Sequence, residues 1–557
     1  MRNSKLLLTV LFCMFAFSAN AEPVITGATN AASYLSPDLP NGGLAQGSIA
    51  TLFGTGLGPA TVVQPSNWPL ALTLGGVSVK VTVGTTTVDA IPIVSWEKQV
   101  SVVIPSATPV GDGTVVLTYN GETSNSFPVK IVAHAFGIFA LNQGGSGPGI
   151  FTHNIDGGHF VVNTLLESAV PGSVWTIWGT GLGAVSGNEA GGALPGDMTS
   201  LDVKVFVGGR EANVIYRGRS GCCAGLDQIA FYIPDQVSGC YVPLVVVVED
   251  VPSNSVTLSV ADGGSKCSDP EGIHAADLDR AATQGDLSIG TITLTRTTLK
   301  ITAPPPVGEM TVTTDTGGAS FERYDVNGLI RANSLPGLFH RGACYVYTFR
   351  ADQQDPPDWK NLDPIHPVPL DAGPLINVTG PNGAKQLPKK ATGSYAANLG
   401  SSLPTPQLYL SAGAYQFNNG AGGADIGGFT ADQTLPEPVV WTNVDAINNV
   451  PAHQALEVTW TGGDPQNGIV VTSGVSMNTT TKAGAGFICE EKASAGRFTV
   501  PKWVIDSMPP TTVVDGIPTG FLFVTTRMPP GRFQAPGLDV GLITWSDMTM
   551  KNVSYNQ

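Results

Sequence analysis

Two observations place this chain in the all-β class: a twelve-residue glycine motif that occurs twice, and a succession of short Val- and Ile-rich segments cut at Gly, Pro, Asn or Asp. Composition agrees with them. Only 13% of residues are charged while Gly (68) and Pro (42) are abundant, a balance that suits strands joined by turns and suits long helices badly. The expected architecture is two tandem β-sandwich modules followed by a larger β-sandwich region.

The motif reads GSIATLFGTGLG from Gly47 to Gly58 and GSVWTIWGTGLG from Gly172 to Gly183, 125 residues later. The repeat extends further: Val79-Lys80-Val81 corresponds to Val203-Lys204-Val205, Gln99-Val100 to Gln228-Ile229, and Ser124-Asn125-Ser126 to Ser253-Asn254-Ser255. The offset slips from 124 to 129 around Gly221 to Gly225, so Cys222 and Cys223 sit in an insertion unique to the second copy. We therefore assign residues 22–135 and 136–264 to two homologous modules.

Taken in order, the chain opens with Arg2 and Lys5, an apolar run from Leu6 to Phe17 and small residues at Ala19 and Ala21, the pattern of a secretory signal peptide over 1–21. Its removal takes the formal charge from −15 to −17 and leaves no later run apolar enough to span a membrane. The predicted location is extracellular or at the cell surface, with the periplasm as the alternative. A dispersed negative charge argues against nucleic acid as a partner.

Within the modules, VSVKVTV, QVSVVIP, GTVVLTY, QIAFYIP and YVPLVVVVED read as strands, and Asn120-Gly121 as a hairpin turn. The glycine motif is no phosphate loop: it lacks GK[ST], and no helix follows it to hold an anion. Residues 265–284 form a linker with a short helix around His274 to Ala282. Strand pattern then resumes over 285–557, with a division into two subdomains near 352–374. PKWVIDSMPP, from Pro501, reads as one helical turn between prolines.

Six cysteines remain after processing: Cys222, Cys223, Cys240, Cys267, Cys344 and Cys489. An even number in an exported chain points to disulfides. The expectation is that one of Cys222 and Cys223 pairs with Cys240 and the other with Cys267, stapling the second module, and that Cys344 pairs with Cys489. The alternative for the adjacent pair is a redox-active vicinal disulfide.

Asn30-Ala31-Ala32-Ser33-Tyr34, the two glycine motifs, Pro148 to Thr152, and GCCAGLDQIAFYIP followed by GCYVPL together resemble a family of uncharacterised secreted proteins of soil bacteria, whose repeated module is similar to the IPT/TIG immunoglobulin-like fold. The resemblance covers roughly Asn30 to Cys267, with further family-like segments at Leu370 to Pro374 and Gly422 to Phe429. It implies tandem immunoglobulin-like β-sandwiches and export. It carries over no catalytic residue.

No HxH, HExxH or GxSxG motif occurs, so the sequence indicates no catalytic residue, metal site or cofactor. His153 and His159 flank Asp156 in HNIDGGH, which reads as a polar turn before it reads as a ligand set. Aromatic rings offer the better binding hint: Trp359, Trp441 and Trp460 in the C-terminal region are the candidate binding residues, with core packing as the competing role. The sequence supports an exported, non-catalytic interaction protein that binds a glycan or a protein. Its alternatives are a secreted polysaccharide hydrolase with its site in the C-terminal region, and a structural subunit of a surface layer.

Overall fold

The computed structural model describes residues 22–192, 194, 196–269, 272–303, 308–331, 342–352, 367–404 and 406–556. The expected signal peptide and Trp359 lie outside the described residues. Strands dominate, and the α-helices among the described residues are Ala275–Gln284, Val326–Arg331 and Lys502–Asp506. The all-β class is thereby established. The first helix covers the expected linker helix, and the third is the proline-started turn, with Pro501 as its N-cap.

Module 1 is a sandwich whose two layers share one strand. Thr86–Ser95 pairs through its first half with Val77–Val83 and through its second with Gln99–Val103. Strict alternation in Val77–Val83 sends its four valines inward and its polar residues out. They meet Leu52, Val100, Val102 and Leu117 in one core. Asn120 and Gly121 both take positive φ, 49° and 95°, as a two-residue hairpin turn requires.

Module 2 separates into two sheets, one built on Val174–Thr180 and Asp227–Tyr232, the other on Val203–Val207 and Gly239–Val248. Trp175 and Ile177 of the repeated motif enter its core. The glycines that follow serve a tight turn. The N–H groups of Gly181 and Leu182 donate to Asp227 Oδ2 at 2.7 and 2.8 Å, and Asp227 is ion-paired with Arg219. Module 1 closes the equivalent turn with backbone alone, Gly54 and Leu57 donating to the carbonyls of Lys98 and Glu97. The Trp96-Glu97-Lys98 segment, which departs from the second repeat, is thus its backbone substitute for the carboxylate.

The modules pack intimately. Module 2's Ala224 enters a small core with Ala31, Ile49, Ile91 and Val103 of module 1, and Thr180 Oγ1 accepts the Ile49 N–H at 2.8 Å. Asn30 Nδ2 donates to the carbonyls of Ala135 and Thr180 at 2.9 and 3.1 Å. The insertion at Gly221 to Gly225 is therefore a cap on module 1.

The disulfides correct one expectation. Cys222 pairs with its neighbour Cys223, and Cys240 with Cys267; Cys344 pairs with Cys489 as expected. The Gly221–Gly225 loop points toward module 1, while Cys240 lies on a strand beside the linker, in a core that also holds Ile273 and Leu278. The adjacent cysteines thus had no partner but each other. The second module's staple runs to the linker, and helix Ala275–Gln284 is clamped: Asp277 accepts Arg280 at 2.7 Å and Arg532 at 2.9 Å.

Most strands of the C-terminal region join one 15-stranded sheet running from Cys344–Arg350 at one edge to Thr430–Leu435 at the other. Three long strands, Asp286–Ala303, Gly308–Asp325 and Val540–Tyr555, form its spine. Two cores lie on it. One gathers Trp441, Trp460, Phe487, Leu522 and Tyr555, the other Ile292, Phe321, Tyr409, Phe417 and Trp545. They alternate along the chain, and the spine strand Val540–Tyr555 feeds both, Trp545 into one and Tyr555 into the other.

Candidate functional site

Two of the three candidate tryptophans are core residues. Trp441 and Trp460, directly opposite each other on neighbouring strands, are 5% and 3% exposed. Leu456–Gly462 alternates so that Leu456, Val458 and Trp460 all point inward. Trp441 Nε1 donates to Asn443 Oδ1 and Trp460 Nε1 to the Ala493 carbonyl, both at 2.8 Å. Neither ring is presented to a ligand. Tyr409 and Tyr415 are likewise buried. His153 bonds the Val174 carbonyl at 2.7 Å and stacks on Trp175, while His159 bonds Asp156 on an exposed turn. Among the described residues no group of three metal-capable side chains forms.

The aromatic surface lies elsewhere, in a cleft of about 650 Å³ between module 1 and the edge strand Cys344–Arg350 of the large sheet. Its rings are Tyr34, Phe53, Phe127 and Phe349. Phe53 lies on Ile49–Thr55, the strand of the first repeated motif, and Tyr34, at φ 52°, closes the turn after strand Val24–Asn30 with its ring centroid 6.3 Å from that of Phe53. Phe349 stacks on Tyr347 at 6.4 Å, and both rings lie over glycines of the neighbouring strand, Gly484 and Gly486, where any larger side chain would collide with them.

One end of the cleft is polar. Arg350 grips Asp352 with two hydrogen bonds, 3.1 and 3.0 Å, and reaches across to Ser36 at 3.2 Å and Asp38 at 3.4 Å in module 1. The Asp352 hydrogen bond raises the Arg350 guanidinium above its usual range and holds the Asp352 carboxyl below its own. Burial pushes the Tyr34 phenol up. Along the floor, Thr29 Oγ1 is buried with no hydrogen-bond partner among the described residues. The cleft therefore offers apolar ring faces and a fixed charge-bearing fork. The sequence points to aromatic recognition in the C-terminal region; most of this cleft comes from module 1, and nothing local in sequence announces the pairing.

No protein-family model matches the chain, and no curated protein matches it in sequence. Solved structures similar to it include immunoglobulin-like and other β-sandwich proteins. Among them are SGBP-B of the Bacteroides ovatus mixed-linkage glucan utilization locus, in complex with a heptasaccharide (9% identity, 83% of this chain and 84% of that one, TM-score 0.12), domains 5-6 of the S-layer protein SbsC (14%, 43% and 99%, TM-score 0.16) and immunoglobulin domains 1-5 of Sidekick-1 (10%, 92% and 100%, TM-score 0.11). Superpositions this poor carry no argument about ligand or activity. Fold and site define the protein as a multi-module all-β protein, disulfide-linked, with an aromatic cleft between its first module and its C-terminal sheet.

Proposed function

We propose that this protein is an exported, non-catalytic interaction protein that binds an extracellular glycan in the cleft between module 1 and the edge strand Cys344–Arg350. The observation that carries the reading is the cleft's make-up: Tyr34, Phe127 and Phe349 beside the Arg350 fork, in a volume of about 650 Å³. Ring faces stack on the C–H faces of sugars, and fixed polar groups at one end select hydroxyl geometry. Three disulfides fit an oxidising compartment outside the cytoplasm. The resemblance to secreted tandem IPT/TIG-like proteins points the same way.

The hydrolase reading finds two carboxylates here, Asp38 and Asp352, but both hold Arg350. A glycosidase needs one carboxylic acid raised to donate a proton, and Asp352 is shifted the other way. The test is a glycan-array and polysaccharide pull-down screen with the full mature chain, assayed in the same wells for soluble products. Saturable binding without product, lost in Phe349→Ala and Arg350→Ala while stability is kept, is the expected result. Product release would move the case to the hydrolase, and binding unaffected by either substitution would remove the cleft.

A further inference from the structure

The internal repeat allows one face of module 1 to be compared with the same face of module 2. In module 1 the outer face of the sheet carries Ile49, Ile91 and Val103, which are 9%, 2% and 0% exposed because module 2 covers them. The covering surface is the turn end of module 2: Thr180, whose hydroxyl accepts the Ile49 N–H, and the Ala224-Gly225 loop, whose Gly225 carbonyl accepts the Thr180 hydroxyl at 2.6 Å. Val185 and Glu189 complete it by bonding Ser106.

By the repeat offset, Ile49 corresponds to Val174 and Val103 to Tyr232, and the strand that follows module 2's Arg210–Ala212 supplies Ile215 on the same outer face. No described residue covers this face. Tyr232 is 40% and Ile215 46% exposed, and the register of hairpin Phe151–Asn154 and Phe160–Val162 adds Phe160 at 62% and Val162 at 39% to it. Exposed apolar side chains gathered on one sheet face, in place of the scatter normal for a monomer, mark a contact surface. The edge strand Phe160–Val162 beside it leaves backbone groups free to pair.

The complementary end is likewise left uncovered by the described residues. Module 1's own turn end, Thr55 to Val63 with Glu97 and Lys98, is the repeat counterpart of the end that module 2 packs onto module 1, without the Gly221–Gly225 insertion. There Thr180 is 0% exposed, whereas its counterpart Thr55 is exposed, as is Val62 at 58%. We propose that this protein associates head to tail with a second copy of itself, the turn end of one copy's module 1 seating on the Val174–Tyr232 face of the other copy's module 2. The contact would continue between molecules the packing that joins the two modules within one. Being heterologous, it closes into a ring or extends as a filament. It stands independently of glycan binding in the cleft.

The test uses sedimentation velocity of the full mature chain through a dilution series, with two variants at exposed sites. Phe160→Asp combined with Tyr232→Asp blocks the module 2 face, and Val62→Asp blocks the module 1 end. Wild type is expected to show concentration-dependent oligomers, and each variant alone to remain monomeric with an unchanged melting temperature. A one-to-one mixture of the two variants then forms a dimer and nothing larger, because one intact end meets one intact face. A wild type monomeric at every concentration overturns the proposal. So does a Val62→Asp variant that still associates on its own, which would indicate a face-to-face dimer.

Discussion

Arg219 and Asp227 of module 2 form an ion pair with side chains 2% and 0% exposed, and together they hold both sides of the second glycine turn. Asp227 takes the N–H groups of Gly181 and Leu182, while Arg219 Nη2 donates to the Gly183 carbonyl at 2.6 Å. The same guanidinium packs on Gly47 of module 1, where φ is +70° and any Cβ would strike it. Burial pushes the Asp227 carboxyl up, and the guanidinium and two N–H donors oppose that shift.

Removing one member of this pair strands a charge. Asp227→Ala is expected to destabilise the protein by about 3–5 kcal/mol, and the double replacement Arg219→Met with Asp227→Leu by less than that single change. Urea unfolding of the three proteins measures the difference; equal losses in single and double variants would show that the turn, not the charge, dominates.

The disulfides should differ sharply in worth. Cys222–Cys223 closes no chain loop, so Cys222→Ser with Cys223→Ser is expected to change stability by less than about 1 kcal/mol, whereas breaking Cys240–Cys267 or Cys344–Cys489, with separations of 27 and 145 residues, costs about 3.5 and 5 kcal/mol in the chain-entropy account. Thermal melts of the Ser variants provide the ranking.

Tryptophan and cleft substitutions should separate folding from binding. Trp460→Ala removes a core ring and is expected to cost about 3–5 kcal/mol, while Phe349→Ala, half-buried at the cleft, lowers ligand affinity with a smaller shift in melting temperature. Reversal of that pattern, with Trp460→Ala folded and deficient only in binding, would return the site to the tryptophans.

Asp547 lies opposite Arg296 in the central strands, but Arg296 is engaged by Asp315 through two 2.8 Å bonds. Burial, against the attraction of Arg296, pushes the Asp547 carboxyl up to about 6. Its folded-state pKa exceeds the unfolded one, so the native state binds the extra proton. The contribution is full below about pH 4, the unfolded value, and is lost as pH rises through about 6, a change on the order of 3 kcal/mol. Asp547→Asn is expected to flatten the pH dependence of melting temperature between those limits and to stabilise the protein at neutral pH. An unaltered profile would assign that dependence to other groups.

What the sequence determined by itself was the local and repeated structure. Alternation in VSVKVTV, the Asn120-Gly121 turn, the prolines around Lys502–Asp506 and the twofold glycine motif each act over a few residues, or recur at a fixed offset, and each is realised as read. The same alternation, followed through Leu456–Gly462, already points Trp460 inward with Leu456 and Val458. The tertiary structure alone decided how Cys222, Cys223, Cys240 and Cys267 pair, how the two C-terminal cores share the strand Val540–Tyr555, and that Tyr34, Phe53 and Phe127 face Phe349 and Arg350. Those relationships join residues up to some three hundred positions apart, as in the Ser36–Arg350 contact. They depend on how whole sheets pack, and side-chain periodicity reports which face of a strand is buried but not what lies against it.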